Sequence, residues 1–130
     1  EFDKIRDMTR EAVQTMLGFE LAHVGINTEN EAEAGKVADA LDSMFGFARK
    51  DGNSSIFAGT AVEAMKSPFL GAKGHIGIKT NYIDRAINYL SARGYQFDES
   101  TRKTDAKGNT AAIYFKDEIG GFAVHLMQKK

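Results

Sequence analysis

Hydrophobic residues recur along this chain with two periods, and the switches between them lay out the elements. Phe2, Ile5, Met8, Ala12, Val13 and Met16 fall at helical spacing among charged residues, so residues 2–17 are expected to form an amphipathic helix that Gly18 ends. From Glu20 to Thr28 the period becomes two. Ala22, Val24 and Ile26 share one face of the expected strand, and Leu21, His23, Gly25 and Asn27 the other. Thr28, three residues before Glu31, has capping-box spacing, and Ala34, Val37, Ala38, Leu41, Met44 and Phe45 give the next helix a buried stripe as far as Gly46. Strands are expected over 47–50, 54–58 and 60–66, with a turn at Asp51-Gly52-Asn53.

The order then repeats. Ser67-Pro68 breaks the strand pattern, and a linker rich in small residues runs to Gly74. A strand over 75–80, a helix marked by Ile83, Ala86, Ile87 and Leu90, and strands over 95–102, 110–116 and 122–128 follow, with turns at 105–109 and 117–121. The copy is legible in the residues themselves. His23-Val24-Gly25-Ile26-Asn27-Thr28 returns as His75-Ile76-Gly77-Ile78-Lys79-Thr80, and Val62-Glu63-Ala64-Met65 as Val124-His125-Leu126-Met127. The fold class is therefore α+β, with two tandem βαβββ modules at about 20–67 and 74–130 behind an N-terminal helix over 1–18.

Composition narrows the chemistry. A chain of 130 residues with 42% hydrophobic content suits one compact domain. Seventeen basic against eighteen acidic residues, with no basic stripe, argue against a nucleic-acid partner. No apolar run approaches the roughly 20 residues that span a bilayer, and no signal peptide is legible, so a cytoplasmic location is expected. Without cysteine, any metal must be held by nitrogen and oxygen. A chain opening on Glu1 is expected to have lost something upstream.

All three histidines of the chain fall in the repeated phrases, and Glu63 takes the fourth equivalent place. Alternation points His23, Glu63, His75 and His125 away from the apolar face that would lie under the helices, so they should share the open side of the sheet. Their same-face neighbours Gly25, Ala61, Gly77 and Ala123 are small and are expected to leave room there for a ligand. Three imidazoles and one carboxylate form a set suited to a divalent metal such as Ni, Zn, Mn or Fe. An octahedral ion would keep two positions for substrate oxygens, whereas tetrahedral zinc would be full. Lys66, Lys79, Asn27 and Arg102 are further candidates for contact with an anionic substrate.

The duplicated βαβββ order, with His opening each module and a polar residue on each closing strand, resembles the vicinal oxygen chelate superfamily of glyoxalase I, methylmalonyl-CoA epimerase, extradiol dioxygenases and fosfomycin and bleomycin resistance proteins. The resemblance covers residues 20–130, and Gly74-His75-Ile76 and Gly120-Gly121-Phe122-Ala123-Val124-His125 look especially like glyoxalase. It implies a cupped mixed sheet, metal ligands at His23, Glu63, His75 and His125, and a small oxyacid or dicarbonyl chelated through two oxygens; as the one carboxylate of the set, Glu63 is the candidate catalytic base. The departure is His125, where glyoxalase I and the epimerases usually carry Glu.

More narrowly, the chain looks like the C-terminal glyoxalase-like extension of some bacterial 4-hydroxy-2-oxoglutarate / 2-keto-3-deoxy-6-phosphogluconate aldolases, and residues 2–17 resemble the last helix of such an aldolase barrel. That implies an N-terminal aldolase domain in the full-length protein, a lyase, and a homo-oligomer such as a dimer. Two functions follow from the resemblance: a metal-dependent lyase or isomerase of glyoxalase type, or a non-catalytic ligand-binding or oligomerisation module of the aldolase.

Overall fold

The computed structural model describes residues 2–130, with side chains from Asp3 onward; Glu1 and the Phe2 side chain, both counted in the first helix above, lie outside the described residues. The elements run α1 (Phe2–Leu17), β1 (Glu20–Asn27), α2 (Glu31–Phe45), β2 (Arg49–Asp51), β3 (Ser55–Ala58), β4 (Val62–Met65), β5 (Gly74–Thr80), α3 (Ile83–Ala92), β6 (Phe97–Thr104), β7 (Thr110–Phe115) and β8 (Phe122–Gln128). Behind α1 this is βαβββ written twice, and the α+β class read from the pattern holds. The strands form one eight-stranded sheet in the order β2-β3-β4-β1-β5-β8-β7-β6. Outward from the centre, each module contributes its first, fourth, third and second strands. β1 and β4 run parallel and the β2–β3, β3–β4 and β6–β7 pairs antiparallel, so the sheet is mixed.

Contacts divide the chain into two compact units, and β1, β5 and β8 supply residues to both. The first unit is Ala22–Gly77 with Asp117–His125. Its core sets Ala34 and Ala38 of α2 on Ile56 and Ala58 of β3 and Ala64 of β4, with Val37, Leu41 and Val62 closing round them. The cap of α2 differs from the sequence reading. Asn30, not Thr28, takes the N-cap: its backbone is extended and its side chain accepts from the Glu33 N–H at 2.9 Å. Thr28 instead donates its hydroxyl to the Met65 and Asn30 carbonyls. Both residue types can cap, and the one adjacent to the first helical residue does so. Asn30→Ala is expected to destabilise the protein by about 1 kcal/mol, seen as a lowered midpoint in thermal or urea melts.

The second unit comprises the described residues through Leu21, Ile78–Lys116 and Leu126–Lys130. Leu17 of α1, Ile83, Ala86 and Ile87 of α3, Phe97, Ile113 and Leu126 form its core, and Phe97 stacks on Phe115. The stripe of α1 is turned from the expected direction. Val13 and Leu17 face this core, while Ile5 and Met8 are 61% exposed. β6 begins later than expected and runs on to Thr104 across a bulge between Asp98 and Lys103, where Asp98 accepts from the Ser100 N–H and hydroxyl. Among the described residues, no helix is long and apolar enough to cross a membrane.

Candidate metal centre

Four adjacent strands of the sheet, β4, β1, β5 and β8, carry Glu63, His23, His75 and His125 in that order. All four residues belong to the first unit. Parallel pairing sets Gly25 opposite Glu63, so His23, two residues back along β1, lies on the same face as the carboxylate. Glu63 sits between Val62 and Ala64, which pack in the core with α2, and it therefore projects from the other side of the sheet.

The structure brings these side chains together. His75 Nε2 lies 3.0 Å and His23 Nε2 3.6 Å from Glu63 Oε1, and the Nε2 atoms of His23 and His125 are 3.4 Å apart. One ring nitrogen from each of the three histidines falls within 4.8 Å of the others. His75 and His125 are buried, and the His23 and Glu63 side chains are only 12% and 16% exposed. The Phe57 ring meets His23 edge-on at 6.2 Å between centroids.

Burial holds His23 below the usual imidazole range against the opposing pull of Glu63, and the neighbouring His75 adds to the depression. Glu63 is held below the usual carboxylate range, first by its hydrogen bond from His75, with Ser55 contributing despite the cost of burial. At neutral pH His23 therefore offers a bare nitrogen lone pair and Glu63 a full carboxylate. His75 Nδ1 is buried and, among the described residues, has no hydrogen-bond partner.

The three histidines lie close enough together to hold a metal ion, and three donor pairs of the cluster, two of them to Glu63, have the spacing of ligands to one cation. Donors about 2.1 Å from one ion stand about 3.0 Å apart at right angles and about 3.4 Å apart at the tetrahedral angle. The separations of 3.0, 3.4 and 3.6 Å found here are of that size.

The small residues of this face have a different use from the one expected. A Cβ on Gly25 would lie 2.0 Å from His75 Cε1, and one on Gly77 would lie 2.7 Å from His23 Cε1 and 2.9 Å from His125 Nε2. The room these glycines leave is filled by the imidazoles themselves. The four candidate anion contacts are engaged elsewhere. Lys66 pairs with Glu31, Lys79 with Glu20, and Arg102 with Glu99 and Thr110. Asn27 holds the linker between the modules, donating to the Gly71 carbonyl at 2.9 Å and accepting from the Phe69 N–H at 3.2 Å. One site residue lies outside the sequence-based set: Ser55, buried at the start of β3, donates to Glu63 Oε2 at 2.6 Å. The antiparallel register, with Phe57 opposite Glu63, makes Ser55 the diagonal neighbour on the same face, a relation between strands that the residues alone do not carry.

The fold is of the vicinal oxygen chelate type, and three histidines lie close enough together to hold a metal ion. No family model and no curated protein matches the chain. Among solved structures, a hypothetical protein from Bacillus halodurans C-125 is similar at 16% identity and a TM-score of 0.58, over 86% of this chain and 95% of its own. A methylmalonyl-CoA epimerase is similar at 17% identity and a TM-score of 0.56, over 85% and 94%. Another, solved with methylmalonyl-CoA and NH4+, gives 13% identity and a TM-score of 0.55, over 84% and 93%.

Proposed function

We propose that His23, Glu63, His75 and His125 hold one divalent cation of the Ni, Zn, Mn or Fe group, and that the domain uses it to take a small 2-oxo or 2-hydroxy compound through two neighbouring oxygens. The observation that carries this reading is the donor spacing: the three imidazoles cluster, and Glu63 Oε1 reaches two of them, 3.0 Å from His75 Nε2 and 3.6 Å from His23 Nε2. When bound, such a cation supplies Lewis acidity to a chelated oxygen pair. The chain's own residues supply the rest. The three imidazoles orient the site, and the near-complete burial of the cluster keeps bulk water out. Glu63, the one carboxylate of the set, would accept a proton from the carbon beside those oxygens and return it, either by leaving the cation or through an intervening water.

The test is elemental mass spectrometry on protein purified without a His-tag or chelator, beside His75→Ala. Close to one metal ion per chain is expected in the parent protein and less than about a tenth of that in the variant, since losing one of four donors leaves an incomplete site. A folded parent protein that takes up no metal, even after soaking, overturns the reading.

A second reading, binding without turnover, is favoured by His125, which stands where a second carboxylate is usual in glyoxalase I and the epimerases. Turnover of a dicarbonyl or 2-oxo acid that drops about 100-fold or more in Glu63→Gln would support catalysis, whereas metal-dependent binding with no turnover would support the second reading. The resemblance of residues 2–17 further supports placing this domain behind an aldolase acting on 2-oxo acids, and the exposed Ile5, Met8 and Met16 of α1 offer a face for such a domain, or for a second copy in an oligomer, to cover.

A further inference from the structure

The two oxygens of Glu63 have different partners. Oε1 faces the histidines, 3.0 Å from His75 Nε2 and 3.6 Å from His23 Nε2. Oε2 accepts the hydroxyl proton of Ser55 at 2.6 Å. Ser55 is 5% exposed, so water has little access to replace its hydroxyl. Its place is fixed by the β3–β4 ladder: Phe57 is opposite Glu63 and Ser55 opposite Met65, which puts Ser55 diagonally beside Glu63 on the face that bears the site. A glutamate has three rotatable side-chain bonds, and a carboxylate held at one oxygen cannot swing both oxygens toward the same neighbour.

We infer that Ser55 is a positioning residue of this centre: by holding Oε2, its hydroxyl makes Glu63 a donor through Oε1 alone. The inference rests on reading the four side chains as a metal site, and it adds how the carboxylate binds and what sets its geometry. A carboxylate free to offer both oxygens would occupy one of the positions a chelating substrate needs, so Ser55 keeps the site open by restraining Glu63 rather than by touching a ligand.

The experiment uses Co2+ as the probe on full-length chains of the parent protein, Ser55→Ala, Ser55→Thr and Glu63→Gln, and on the Ser55→Ala/Glu63→Gln pair. Loss of an outer hydrogen-bond partner typically weakens metal affinity by 10- to 100-fold. Ser55→Ala is accordingly expected to weaken Co2+ binding by about that factor in titration calorimetry and to change the visible d–d spectrum, with Ser55→Thr restoring both. In the Glu63→Gln background Ser55→Ala should have little further effect, because it acts through the carboxylate. An unchanged affinity and spectrum in Ser55→Ala, or an equal loss with and without Glu63, overturns the inference.

A parent protein that binds no Co2+ overturns the metal reading instead. The ring 15N shifts of His75 in metal-free protein then decide on Ser55 alone. A displacement in Ser55→Ala that Ser55→Thr reverses supports positioning of Glu63, and identical shifts in all three overturn it.

Discussion

Gly71→Ala is expected to destabilise the protein by about 3 kcal/mol or more, moving the thermal midpoint down by roughly 10 °C or more. Two independent causes add. Gly71 has φ +89°, a backbone region that residues with a Cβ adopt only under strain. A Cβ there would also stand 1.9 Å from the Gly74 carbonyl oxygen and 2.6 Å from the Ala123 amide nitrogen. Both obstacles are backbone, one at the start of β5 and the other in β8, so relief requires a shift of strands that carry His75 and His125. Asn27 also holds the linker, donating to the Gly71 carbonyl, which limits its freedom to move. Gly108 separates the two causes. Its φ is +83°, but among the described residues nothing lies within 4 Å of the position of a Cβ. Gly108→Ala should therefore show the conformational cost alone, about 1 kcal/mol. Equal losses in urea unfolding of the two variants would mean that the contacts at Gly71 relax freely.

This position also marks where sequence reasoning reaches and where it stops. The duplicated order of elements was legible because each repeat preserves residue identity at periodic positions: the two His-apolar-Gly-apolar phrases declare their strands, and the stripes Ala34–Val37–Ala38 and Ile83–Ala86–Ile87 declare their helices. Convergence of His23, Glu63, His75 and His125 on one face was legible for the same reason, since alternation fixes the face whatever the partner strand.

Relations between strands were not legible. Ser55 reads as an ordinary polar residue at a strand start until the register sets it beside Glu63. Gly25 and Gly77 read as open floor until the neighbouring strands lay imidazoles across them. The lysines were candidate anion contacts only while their carboxylate neighbours on other elements were unknown, and Arg102 turns to Glu99 within its own strand. In α1 the hydrophobic positions cover more than one face, and periodicity could not say that Leu17, rather than Met8, turns to the core.

Gly25→Ala is expected to abolish metal uptake as completely as His75→Ala while leaving a folded protein. No left-handed φ constrains Gly25, so its own φ does not resist a side chain, and the three nearest conflicts are all with one ring: the added Cβ would lie 2.0 Å from Cε1, 2.2 Å from Nδ1 and 2.5 Å from Nε2 of His75. His75 is 3% exposed and has little free space around it. To escape, the imidazole must change rotamer, which withdraws Nε2 from Glu63 Oε1 and removes one donor from the set. Overpacking of this kind costs about 1–3 kcal/mol, so the fold should survive with a lowered midpoint.

The cause is checked by a double-variant cycle. With His75→Ala already in place the ring is gone, and adding Gly25→Ala should then be close to neutral, or stabilising through the reduced freedom of the unfolded chain. A loss that persists in that background would put the requirement for Gly25 in the strand itself rather than in the histidine above it. Gly77 gives the graded comparison. Its nearest approaches, 2.7 Å to His23 Cε1 and 2.9 Å to His125 Nε2, are less severe and shared between two rings. Gly77→Ala should weaken metal binding without abolishing it, because each ring can yield by part of the distance.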